Sequence, residues 1–103
     1  MSPKEASMTD KRKAYEEKFN AQINEWNAQL DLLKAKADMA SADAKIEYYK
    51  SIDTLQNKKE QAKAKLQELK TSSDEAWKDL KKGAGKAWDE VETAFSEALS
   101  KFK

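Results

Sequence analysis

Residues 35–44 read Ala35-Lys36-Ala37-Asp38-Met39-Ala40-Ser41-Ala42-Asp43-Ala44, and the fold turns on whether a helix passes through them. Alanine is the best helix former. Turns between helices favour Gly, Asn or Pro, and none stands here. The run therefore reads as an alanine-packed seam inside one uninterrupted helix. A tight turn near residues 41–43, making a hairpin, is the competing reading.

Outward from the seam the apolar residues keep a coiled-coil rhythm. Phe19, Ile23, Trp26, Leu30, Leu33, Ala37, Ala40 and Ala44 follow one another in alternating steps of four and three. The pattern resumes at Tyr48, Ile52, Leu55, Lys59, Ala62, Leu66 and Leu69. The join from Ala44 to Tyr48 repeats a step of four, as does Tyr15-Phe19-Ile23. Such stutters locally unwind a left-handed supercoil. Thr9 or Asp10 can cap the start, ahead of Lys11-Arg12-Lys13-Ala14-Tyr15. Nothing obliges the helix to stop before Lys70. A single helix over 9–70 would be about 92 Å long at ~1.5 Å per residue.

The clearest boundary is Thr71-Ser72-Ser73-Asp74-Glu75. Ser72 with Glu75 fits a capping box, and Asp74 and Glu75 suit the positive end of a helix dipole. A turn at 71–73 and a second helix over 73–101 are expected. Here the period changes to eleven: Ala76-Trp77, Ala87-Trp88 and Ala98-Leu99 recur, as do Leu80, Val91 and Phe102, and Ala84 and Phe95. Eleven residues fit a nearly straight helix. The apolar set fills an arc of about 140°, with every charged residue outside it. Gly83-Ala84-Gly85 interrupts this helix as a weak spot, since each mid-helix Gly costs about 1 kcal/mol relative to Ala. Gly83, at the edge of the arc, could instead admit a close backbone contact.

Composition narrows the function. The 103 residues are 38% charged, with two glycines, one proline, no cysteine and no histidine. That makes a many-turn β fold untenable and leaves no thiolate, disulfide or imidazole chemistry. The carboxylates, such as Glu16-Glu17 and Asp89-Glu90-Glu92, fall on polar helix faces, and no phosphate-binding or nucleophile motif occurs. Lys81, Lys82 and Lys86 flank the glycines, but an isolated helix points their heads to different sides. No enzyme, cofactor or metal is expected. Net charge is +1, and the signs are mixed along the chain, so no nucleic-acid partner is expected. No stretch approaches the ~20 apolar residues of a membrane span, and the location is read as cytoplasmic. Residues 1–8 read as a disordered tail, with Met8 as a native start.

Taken whole, the chain resembles small, uncharacterised bacterial coiled-coil proteins. The resemblance rests on Lys11-Arg12-Lys13-Ala14-Tyr15, Ile23-Asn24-Glu25-Trp26-Asn27, the Ala/Asp run at 35–44 and the Ala-Trp repeats. It implies a helical fold and carries over no functional residue. The C-terminal segment resembles the eleven-residue amphipathic repeats of exchangeable apolipoproteins.

The expected architecture is all-α: a long helix and an antiparallel C-terminal helix, in an oligomeric bundle. The C-terminal helix should cover the second half of the stripe, packing Tyr48, Ile52, Leu55, Leu66 and Leu69 against Trp77, Leu80, Trp88, Val91, Phe95 and Phe102. That leaves Phe19, Ile23, Trp26, Leu30, Leu33 and Ala37 uncovered, as an interface for a second copy or a helical partner. The expected function is a non-enzymatic structural or interaction module working through this seam, most simply as a homodimer. The alternative is a lipid-surface protein using residues 74–102.

Overall fold

The computed structural model describes residues 8–102, and side chains from Asp10 to Phe102. Among them stand three helices and no strand: α1 (Met8–Asp38), α2 (Ala42–Thr71) and α3 (Asp74–Lys101). The all-α class is borne out. The expected tail at 1–8 lies outside the described residues, except that Met8 already opens α1.

The single helix over 9–70 is replaced by two, because the chain breaks at residues 39–41. The last turn of α1 tightens, with the Met39 and Ala40 amides donating to the Lys36 and Ala37 carbonyls. Ser41 then takes an extended backbone, and its Oγ accepts from the Ala44 amide at 3.3 Å. That is an N-cap, supported by Asp43 in the first turn of α2 and Lys36 in the last turn of α1. The physical reason for the break is burial. Folding back covers the stripe from Phe19 to Leu33, and each fully buried large apolar side chain contributes about 1.5–3 kcal/mol. Local alanine propensity, worth tenths of a kcal/mol per residue, cannot outweigh that.

The second break is one residue later than the capping box places it. Ser72 closes α2, with its Oγ donating to the Leu69 carbonyl at 2.8 Å. Ser73 caps α3 by accepting from the Ala76 amide. α3 itself runs unbroken through Gly83-Ala84-Gly85, and neither glycine has a positive φ.

Polar contacts tie the ends together. Arg12 near the start of α1 donates to the Leu69 and Ser72 carbonyls at 2.8 and 2.9 Å, and to Asp74 at 2.9 Å. It therefore adds a donor at the end of α2, joining Ser72 at the Leu69 carbonyl and reaching the Ser72 carbonyl beyond the last helical turn. At the other end, Lys36 donates to the Phe102 carbonyl and Lys101 pairs with Glu47. Midway, the buried Lys59 ammonium donates to Asn27 Oδ1 at 2.6 Å. Lys59 occupies an apolar position of the heptad rhythm, so this bond offsets a charge that would otherwise be costly to bury.

The core is one cluster drawn from all three helices. Phe19, Ile23, Trp26, Leu30, Leu33 and Ala37 all lie inside it, none more than 6% exposed. The seam expected to await a partner is thus covered by the chain's own α2 and α3. Opposite it, Ile52, Leu55, Leu66, Leu69, Trp77, Trp88, Val91 and Phe95 are buried, while Tyr48, Leu80 and Phe102 pack half-buried against the cluster. Phe102 stacks on Tyr48 with ring centroids 4.1 Å apart.

Candidate functional site

The rings of α1 and α3 form a continuous ladder. Trp77 meets Tyr15 edge-on at 5.6 Å, Tyr15 lies 4.4 Å from Phe19, and Phe19 stacks on Trp88 at 3.8 Å. Trp26 follows, 4.7 Å from Trp88 and 5.4 Å from Phe95. Aromatic side chains are bulky, and α1 and α3 approach each other closely at few places, whereas α2 lies close against both. A groove opens over the Tyr15–Trp77 end of this ladder, with a volume of about 1100 Å³.

Its banks are lysines. Lys11 and Lys18 stand on α1, and Lys78, Lys81, Lys82 and Lys86 on α3. The floor is Tyr15 and Trp77, with the small residues Ala14 and Gly85 facing in from the two helices. Asp89 is the only acidic residue among the described lining residues. The Lys81 ammonium lies 5.0 Å from the Tyr15 ring centre and 5.3 Å from that of Trp77, within cation–π range. Burial, and secondarily the negative charge of Asp89, raise the Tyr15 phenol above its ordinary pKa of 10.0. Trp77 Nε1 is buried and has no hydrogen-bond partner among the described residues.

The charge of this groove is unbalanced in a second sense. On α2, exposed Lys63 and Lys65 pair with Glu60 and Glu68. Among the described residues no carboxylate pairs with any of the six groove lysines, although ion pairs form elsewhere on the surface. Groups of this kind can bind and orient an anion. The floor offers apolar and π surface.

The linear sequence places these residues poorly. Lys81, Lys82 and Lys86, expected to point apart, line one groove, because α1 supplies a second bank. The alternative reading of Gly83, a close backbone contact, is not met: a Cβ there would meet nothing within 4 Å. A Cβ on Gly85 would meet only the Tyr15 hydroxyl, at 3.8 Å, an ordinary contact. Two sequence signals point to the groove in hindsight. Lys78, Lys82 and Lys86 recur every four residues, and Lys11 and Lys18 are one heptad apart. Among the described residues no helix is long and apolar enough to cross a membrane. No protein-family model, curated protein or solved structure matches this chain.

Proposed function

We propose that the protein is a non-enzymatic binding module, an up-down-up three-helix bundle whose working face is the α1–α3 groove and whose partner is anionic. The observation that carries this reading is the convergence, around a Trp–Tyr floor, of six lysines from two helices that have no carboxylate partner among the described residues. An interaction role thus moves from the Phe19–Ala37 seam, which is core, to the opposite end of the ring ladder. Like charges gathered on one surface repel one another. Such a cluster costs stability in the free protein and is offset when an anion binds. The lipid-surface alternative needs the apolar arc of α3, and that arc is occupied by core packing at Trp88, Val91 and Phe95.

Calorimetric titration with poly-L-glutamate at pH 7 and low salt tests the reading. The wild-type chain should bind, and binding should weaken steeply with added salt as screening sets in. The triple variant Lys11→Glu, Lys81→Glu, Lys82→Glu should lose it while keeping its helical circular dichroism. Equal binding by the variant, or none by the wild type, would sink the proposal.

A further inference from the structure

The groove resembles an open seat in a helical bundle. α1 presents Lys11, Ala14, Tyr15 and Lys18 to it, spaced as one face of a helix. α3 presents Lys78, Lys81, Lys82, Gly85 and Asp89, again one helical face. Between the banks the small residues Ala14 and Gly85 leave a hollow beside the Tyr15–Trp77 floor. The pattern is the one that a coiled coil shows its partner: an apolar strip flanked by charges, here six lysines against the single carboxylate of Asp89 among the described lining residues.

Gly85 adds an independent clue. A glycine inside a helix is destabilising, and this one is not required by the fold. Its φ is not positive, and an added Cβ would find ordinary space. What a side chain there would do is fill the hollow.

Building on the binding-module reading, we infer that the groove seats an acidic amphipathic α-helix of a protein partner, which completes a four-helix bundle. The lined part of α3, from Trp77 to Asp89, is about 18 Å long, enough for about three helical turns. The docking helix places an apolar stripe over Ala14, Tyr15 and Gly85. Its flanking glutamates or aspartates meet the lysine rows, where Lys78, Lys82 and Lys86 repeat at about 6 Å, the pitch of side chains four apart on a helix. Nucleic acid and anionic lipid share the charge but not this combination of apolar strip and flanking rows.

The test uses the full chain and a dye-labelled synthetic 18-residue peptide, with leucine at heptad positions a and d, glutamate at e and g, and alanine elsewhere. A scrambled peptide of the same composition, poly-L-glutamate, phosphatidylglycerol vesicles and a 20-nucleotide oligothymidylate are the competing probes. Fluorescence anisotropy should show the patterned peptide binding at least tenfold tighter than its scramble. Gly85→Leu, whose Cβ would make only an ordinary contact with the Tyr15 hydroxyl, should weaken the patterned peptide at least tenfold and poly-L-glutamate less than threefold. Equal binding of patterned and scrambled peptides, or no effect of Gly85→Leu, overturns the helix seat while leaving the anionic groove. Tighter binding of the vesicles or the oligonucleotide replaces the occupant. Failure of every anionic probe overturns the groove reading itself.

Discussion

α1 is flanked by neighbours of two kinds. Against α2 the backbones come close, and contact is mediated by aliphatic side chains and by the Asn27–Lys59 bond. Against α3 a ladder of rings stands between the helices, from Tyr15 and Trp77 to Trp26 and Phe95. The difference teaches why the groove is where it is. Aliphatic side chains close a seam, whereas rings fill its inside and leave the outer edges of the helices apart. The charges differ in the same sense. Exposed Lys63 and Lys65 on α2 have glutamate partners, and the groove lysines have none among the described residues.

The ring ladder should be the costlier side to break. Trp26, 1% exposed, is clasped by Trp88 and Phe95. Trp26→Ala should lose about 3–5 kcal/mol in urea unfolding followed by circular dichroism. For a domain of this size that is a large part of a total of about 5–15 kcal/mol. A loss under 1 kcal/mol would mean that the ladder is not a structural spine.

On the α2 side the vulnerable element is polar. Asn27→Leu removes the short hydrogen bond of the buried Lys59 ammonium, leaving it only the longer ion pair to Glu60 at 3.8 Å, and should cost about 1–3 kcal/mol. Lys59→Met removes the charge together with its need for a partner and should be nearly neutral. If the two variants are equally destabilised in urea, the bond is not what makes the lysine tolerable.

The turn that creates both interfaces is held by little. Ser41→Ala removes the cap of α2 and should cost about 0.5–2 kcal/mol. It also leaves an alanine run that favours a continuous helix. Size-exclusion chromatography should then reveal some dimer by exchange of α1, a route open to short hinge loops. No change in either stability or mass would show that burial alone sets the turn.

How much of this could be read beforehand follows from the range of each interaction. The helix class, the second break and the apolar positions are local patterns, visible as periods of seven and eleven. The first break is not local. Residues 35–44 favour helix on their own terms, and only the burial of Phe19, Trp26 and Leu33 by distant segments makes Ser41 a cap. With the wrong connection, the buried seam looked like an exposed one. The groove was hidden for the same reason, since Lys11 and Lys18 meet Lys78 and Lys82 only after two turns. What each lysine row showed by itself was an ordinary solvated helix face.

A subtler difference between the faces is titration. Tyr15 is the groove's phenol, with its pKa raised first by burial and then by Asp89. Below pH about 10.0 it is neutral in both folded and unfolded chains. As the pH rises through that value, the unfolded chain loses the proton first, and stability falls until the folded phenol ionises. Wild type should therefore lose more stability than Tyr15→Phe between pH 9 and 11. Asp89→Asn should lower the Tyr15 titration, followed by phenolate absorbance, only in part, because burial is the larger cause. A complete return to the ordinary value would contradict that order.

The central claim is that the anion-binding face is the ring-built one. The most direct measurement is the ¹H–¹⁵N correlation spectrum during addition of poly-L-glutamate, with the Trp77 indole signal assigned by Trp77→Phe. The account predicts that this signal and the amides around Lys18 and Lys81–Lys86 move and saturate together, while those around Lys63 and Lys65 stay still. Shifts of equal size on both faces, or a motionless Trp77 indole, would contradict it.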